Sequence, residues 1–258
     1  MQLSRENISF FKSNGYLFFD KLFSNKEIIN LQSAVDEVCS SKGENITPEL
    51  NGTGVRMVHG SHTYNNSFSN LCRHPRIVEP AEQLLDSQIY IHQSRLNLNK
   101  GLGTGGFDWH QDYATWKDVD GLKEPRALMI AVFIDNVTAA NGPLLFIPKS
   151  HTEGVINEFE PVEDKTGNIL MSLNRKKLKN LVDNNGIKAG LGDLGSVLFM
   201  HCNLVHGSSE NISPYSRTLF YVNVSSIENP QTTFSRKDFH AGRDFTPIVT
   251  VNDNSLEI

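Results

Sequence analysis

Three observations predict a mainly β fold, a barrel or a double-sheet jelly roll with helices ahead of it. From Ile89 onward the chain breaks into short runs rich in β-branched and aromatic residues, separated by Gly, Pro and Asn turns. Before them, capping residues and apolar positions of helical spacing fill the first third. The 258 residues show no repeat and no low-complexity linker, so they fit one large domain. That domain is expected to span 1–258, with a helical scaffold over about 1–88 and a β core over about 89–250.

Each element has its own signal. Ser4 caps a segment through Phe11 that stops at Gly15, and Tyr16–Phe19 is a short apolar strand. Ser24 and Glu27 have capping-box spacing and open a helix with Ile28, Leu31, Val35 and Val38 on one stripe. A further helix is expected from about His74 to Leu85, starting near Pro75. Residues 40–67, rich in Gly, Asn, Ser and His, are expected to form a long loop that could border a site. The β runs are Ile89–Asn97, Ala127–Ile134, Leu144–Ile147, Ser196–Phe199 and Thr218–Val224. The basic stretch Asn174–Asn180 is expected to be a solvated helix face in an excursion between strands.

Composition narrows the possibilities. A net charge of −5 without a long Lys/Arg-rich run argues against nucleic acid as a partner. No apolar run approaches the roughly 18 residues that cross a bilayer, and the N-terminus lacks a basic start followed by an apolar core, so a cytoplasmic location without membrane contact is expected. Cys39, Cys72 and Cys202 are few, odd in number and far apart, which suits a reducing compartment.

The chemistry concentrates in Phe107–Trp116, where His110 and Asp112 form a His-x-Asp pair. In an extended segment, side chains two apart project to one face. Two such ligands are two-thirds of a 2-His-1-carboxylate triad, which holds Fe(II) and leaves three coordination positions open. The third ligand is expected from His206, in preference to His201 at the end of its strand. His206 is followed by what reads as a Gly-Ser-Ser turn and lies eleven residues before Arg217. A guanidinium stays charged at any working pH and grips carboxylates bidentately, so Arg217 is the natural anchor for the distal carboxylate of 2-oxoglutarate. Zinc on the same three ligands would be a hydrolytic alternative, but it would leave Arg217 idle.

The segments His110-x-Asp112, Asn141–His151 and His206…Arg217 together resemble the phytanoyl-CoA dioxygenase superfamily of Fe(II)/2-oxoglutarate oxygenases. The likeness covers roughly residues 85–250, and Asn141–His151 is its most specific part. It implies a cupin-like double-stranded β-helix, with Fe(II), 2-oxoglutarate and O2 as cofactor and co-substrates. Within the superfamily, Gln93–Asn97, Phe107–Trp116 and Arg236–Pro247 are most similar to ectoine hydroxylases and hydroxylases of free amino acids. That likeness implies Asn97 as a 2-oxoglutarate contact, and Gln93, Trp116 and Arg236 around a small zwitterionic substrate, with Arg236 gripping its carboxylate. A monomer or homodimer is expected.

The chain departs from the ectoine-hydroxylase pattern at Ala114, Met129 and Leu219, where that pattern has Glu, Ser and Asn. Leu219 in a polar position suggests an aliphatic pocket wall, since a site built for polar contacts rejects partners that leave its donors unpaired. The sequence therefore favours hydroxylation of a leucine-, proline- or pipecolate-like amino acid, with ectoine as the alternative. Asp112 argues against halogenation, which needs an open position where the carboxylate stands.

Overall fold

A computed structural model describes residues 1–49, 54–163 and 169–257. In chain order the elements are α1 (Arg5–Asn14), β1 (Tyr16–Phe19), α2 (Asn25–Ser40), β2 (Ile46–Pro48), β3 (Val55–His59), α3 (Asn66–Cys72), α4 (Pro75–Leu85) and β4 (Ile89–Asn99). There follow β5 (Thr104–His110), α5 (Asp112–Asp118), β6 (Ala127–Phe133), β7 (Leu144–Phe146), the hairpin β8 (Phe159–Glu163) and β9 (Ile169–Leu173), and α6 (Arg175–Asn185). The chain closes with β10 (Lys188–Ala189), β11 (Val197–His201), β12 (His206–Asn211) and β13 (Arg217–Ser226).

The N-terminal helices start and stop where their caps dictate. Ser4 Oγ accepts from the Asn7 N–H at 3.1 Å while Asn7 Oδ1 accepts from the Ser4 N–H, and α1 ends on Gly15 at φ 80°. Ser24 and Glu27 exchange the same pair of bonds at the start of α2. His74 caps α4 through its side chain, with Pro75 in the first turn.

Among the described residues, eleven of the thirteen strands divide between two sheets, and β8 and β9 pair only with each other. The larger has the order β1-β11-β6-β13-β4-β3-β2 and the smaller β10-β7-β12-β5; every pairing in both is antiparallel. The large sheet is apolar on both faces. In β6, Leu128, Ile130 and Val132 join the cluster that packs against the helices, while Ala127, Met129, Ala131 and Phe133 join the cluster between the sheets. β13 splits likewise, with Phe220, Val222 and Val224 outward and Leu219 and Tyr221 inward. α6 and the β8–β9 hairpin supply Leu181 and Leu173 to a third cluster with Ile147 and Val205. The basic helix α6 is the predicted excursion, capped by Asn174 and lying between β9 and β10.

Three expectations need correction. The stretch 40–67 is not one loop: it carries β2, β3 and the start of α3, and β3 pairs with β4 on the large sheet; residues 50–53 lie outside the described residues. His206-Gly-Ser-Ser is not a turn but the start of β12, held between β5 and β7. The segment after His110 is not extended. Asp112 opens α5, because Tyr113 and Trp116 are three residues apart, bury together on one helical face, and override the β preference of the aromatic residues.

Candidate iron and 2-oxoglutarate site

Between the sheets, His110, Asp112 and His206 each present a ligand atom, and these atoms lie within 4.8 Å of one another. The register of the small sheet makes the arrangement: His110 and His206 are Cα partners in the β5–β12 ladder. Gly207 permits the close approach there, since a Cβ on it would stand 2.8 Å from the Phe107 carbonyl oxygen.

Both imidazoles are oriented by main-chain carbonyls. His110 Nδ1 donates to Asp108 O at 2.6 Å, and His206 Nδ1 donates to Leu204 O at 3.0 Å. A proton held on Nδ1 leaves His206 Nε2 as a free lone pair, the state a metal ligand needs, while His110 Nε2 turns toward Asp112 and would bind a metal in place of a proton. His110 Nε2 is already 3.3 Å from Asp112 Oδ1. Burial lowers His206 to about 4, and the neighbouring His110 acts in the same direction. Burial pushes the Asp112 carboxyl up, but the bond from His110 and the nearby His206 outweigh it and hold it well below the usual carboxylate range.

Asp112 owes its position to Gln111, a residue the motif treats as filler. Gln111 is buried; its Nε2 donates to Gly154 O at 2.8 Å and Asn203 O at 2.7 Å, and its Oε1 accepts from the Ile156 N–H. The Tyr113 N–H donates to Cys202 O at 3.1 Å. The first turn of α5 is thereby tied to the β11–β12 connection that delivers His206.

Beside the triad is a small cavity lined by His110, His206, Arg217, Asn97, Arg95 and Ser208, among others. Arg217 is 4% exposed, and among the described residues it makes no hydrogen bond or ion pair. A buried cation without a counter-ion is costly unless a ligand supplies the anion. Asn97 Oδ1, Ser208 Oγ and Asp112 Oδ2 are also buried without partners. The residues therefore fit both groups: two imidazoles and a carboxylate for Fe(II), and an unpaired guanidinium with adjacent polar side chains for a dicarboxylate.

The other predicted contacts lie outside the lining of this cavity. Gln93 is engaged at both ends, donating to His240 O at 2.8 Å and accepting from Asn223 Nδ2 at 3.0 Å. Trp116 is buried edge-on against His92, with ring centroids 5.1 Å apart. Leu219 is buried among the apolar residues between the sheets, two positions from Arg217. Arg236 donates to Asp120 through both Nε and Nη2, and the same carboxylate accepts from His92. Sequence reasoning set Arg95 on one side of a strand with Gln93 and Asn97 but gave it no role, and it passed over Ser208 and Gln111. A larger cavity, about 860 Å³, is lined by residues of His59–Arg73 and Asp238–Val249 and by none of the three candidate ligands. Chemistry, not size, locates the site.

Comparison with known proteins gives the family. Residues 11–219 match the family model of phytanoyl-CoA dioxygenase. The chain belongs to that family. It is 30% identical over 260 residues to an ectoine dioxygenase of Streptomyces anulatus, covering 95% of this chain and 88% of that protein. It is 28% identical over 253 residues to an L-proline trans-4-hydroxylase of Streptomyces griseoviridis, covering 94% of each. The solved structure of EctD from S. alaskensis with 2-oxoglutarate and 5-hydroxyectoine superposes with a TM-score of 0.84 at 28% identity, over 97% of this chain and 87% of that one; a form with bound Fe gives the same score. The fold is thus the jelly roll with N-terminal helices that the sequence predicts. The chain is an Fe(II)/2-oxoglutarate-dependent dioxygenase of the hydroxylase type.

Proposed function

We propose that this enzyme hydroxylates ectoine, on an iron held by His110, Asp112 and His206 with the distal carboxylate of 2-oxoglutarate on Arg217 and Asn97. The observation that carries the assignment of residues is Arg217, a buried cation with no partner of its own beside three converging ligand atoms. The choice of ectoine rests on the relatives, most of which are ectoine dioxygenases. Bound iron with 2-oxoglutarate and O2 supplies the oxidising power for an unactivated C–H bond, releasing succinate and CO2. The chain's own residues orient and enclose. His110 and His206 keep their Nδ1 protons on main-chain carbonyls, and Gln111 fixes the start of α5.

A second reading, a proline- or pipecolate-like free amino acid, is favoured by a specific feature. Leu219 and Met129 are buried and face the space between the sheets, where a polar substrate ring would find no hydrogen-bond partner. In either case we assign Gln93, Trp116 and Leu219 to the substrate side of the site. Arg236 is taken by Asp120, so we assign it a positioning role through His92 on Trp116 rather than a direct grip.

The deciding experiment loads the enzyme with Fe(II) and 2-oxoglutarate without oxygen, adds ectoine, L-proline, L-pipecolate or L-leucine, then admits O2. Products one oxygen atom heavier are scored by mass, since succinate also arises from uncoupled turnover. Ectoine is expected to give the fastest product. A faster amino-acid product would replace ectoine with the second reading, and no product from any of them would remove both.

A further inference from the structure

The site holds a second, partly buried cation that the iron and co-substrate do not use. Arg95 lines the same cavity as His110, His206, Asn97 and Arg217. Its guanidinium lies 5.0 Å over the ring of Tyr221, its Nε is buried without a partner, and among the described residues it makes no hydrogen bond or ion pair. Its neighbours across the sheet are His59 on β3 and Tyr221 on β13. Neither offers a negative charge: burial, with Arg95 itself adding to it, lowers His59 to about 3, and burial raises Tyr221.

The charges of the site assign a purpose to this cation. A divalent iron, Asp112, a dianionic co-substrate and Arg217 together come to neutrality, which leaves Arg95 uncompensated. Register separates the two arginines. Arg95 faces Tyr221, and Arg217 is four residues back along β13, ~13 Å along the strand. One 2-oxoglutarate chelating the metal and anchored at Arg217 therefore leaves the Arg95 end of the cavity to another anion. Arg236 cannot serve without giving up Asp120, a buried partner it meets through two bonds.

We infer that Arg95 binds the carboxylate of the primary substrate and so sets which carbon faces the iron. The inference rests on the proposed reading that the substrate is a small zwitterion. A planar guanidinium already free of competing partners binds a carboxylate in a fixed orientation, which is what regioselective attack requires.

The test is equilibrium binding by calorimetry to anaerobic enzyme carrying Fe(II) and 2-oxoglutarate, for the wild type, R95Q and R95K. The titrants are ectoine, L-proline and the carboxamide of whichever binds; 2-oxoglutarate is titrated separately into the iron-loaded proteins. R95Q is expected to weaken the carboxylate ligand about 10- to 100-fold, the range of a charged hydrogen-bonded pair. Its affinities for the carboxamide and for 2-oxoglutarate are expected to match the wild type. Loss of 2-oxoglutarate affinity instead, or an unchanged preference for carboxylate over carboxamide, would overturn the assignment. Should R95Q not fold, R95K carries the test: it keeps the charge but not the fork, so a weaker carboxylate with unaltered 2-oxoglutarate is expected, and equal affinity for the carboxylate overturns the inference. If the wild type binds neither titrant, the substrate class falls and Arg95 with it; if the wild type binds but R95Q binds equally well, only the role of Arg95 falls.

Discussion

His110 and His206 face each other as partners across the β5–β12 ladder, and their imidazole rings lie 4.2 Å apart. Sheet register alone therefore brings together candidate ligands nearly a hundred residues apart, while Asp112 reaches them from the first turn of a helix.

Asp112→Ala is expected to weaken Fe(II) binding at least about 100-fold, because even residues that merely orient ligands cost 10- to 100-fold when lost. Iron titration of the apoprotein with an optical chelator measures this. Wild-type affinity in the variant would place the metal elsewhere.

Arg217→Ala is expected to raise the apparent 2-oxoglutarate requirement by about 10- to 100-fold while leaving iron affinity intact. Steady-state rates against 2-oxoglutarate concentration give the answer. An unchanged requirement would remove Arg217 as the anchor.

Gly207→Ala should displace β12 from β5, because the added methyl meets the Phe107 carbonyl oxygen at 2.8 Å. The expected result is a stability loss of about 1–3 kcal/mol from overpacking, with weakened iron binding as His206 moves. Denaturant unfolding and iron titration of the same sample check both parts. Unaltered iron affinity would show that the ligand set tolerates the shift.

Asp120→Ala leaves Arg236 and His92 without their common partner inside the protein. Breaking a buried pair from one side costs about 3–5 kcal/mol, and Arg236 is partly exposed, so the lower end is expected. The midpoint of urea unfolding measures it. A neutral result would mean that the pair contributes nothing to holding the segment that follows β13.

Stability should fall as the solution is acidified from about pH 7 toward pH 5. Burial lowers His59 to about 3 and His62 and His201 to about 4. These groups stay neutral in the fold while the unfolded chain takes up protons below its ordinary histidine value. Their stabilising contribution is complete above that value and is lost as pH drops toward the folded values, each by up to ~1.4 kcal/mol per pH unit. Unfolding midpoints of the iron-free protein across this range should decline, and His62→Gln should flatten the decline. A flat profile in the wild type would contradict the neutral state of these residues.

The sequence revealed those parts of the site that carry distinctive chemistry and missed those that depend on packing. His110, Asp112, His206 and Arg217 stand out because few arrangements other than a metal and an anion require them. The helix at Asp112 was hidden, because Tyr113, Thr115 and Trp116 favour strands in isolation and only the shared burial of Tyr113 and Trp116 turns the segment. β12 was misread since Gly207-Ser-Ser has turn composition, yet two flanking strands hold it extended. Arg95 carried no motif of its own. Its place beside the candidate ligands, without a hydrogen bond or ion pair among the described residues, emerges only when β3, β4 and β13 are set side by side.

A roomier hollow, bordered by Tyr64, Phe239 and Val249, includes none of the three candidate iron ligands. A screen that ranks compounds by how snugly they fill concave space would crowd its hits there, leaving the reactive centre open. On the proposed assignment of Arg217 as the anchor, inhibitors should instead be sought among small dianions that compete for it.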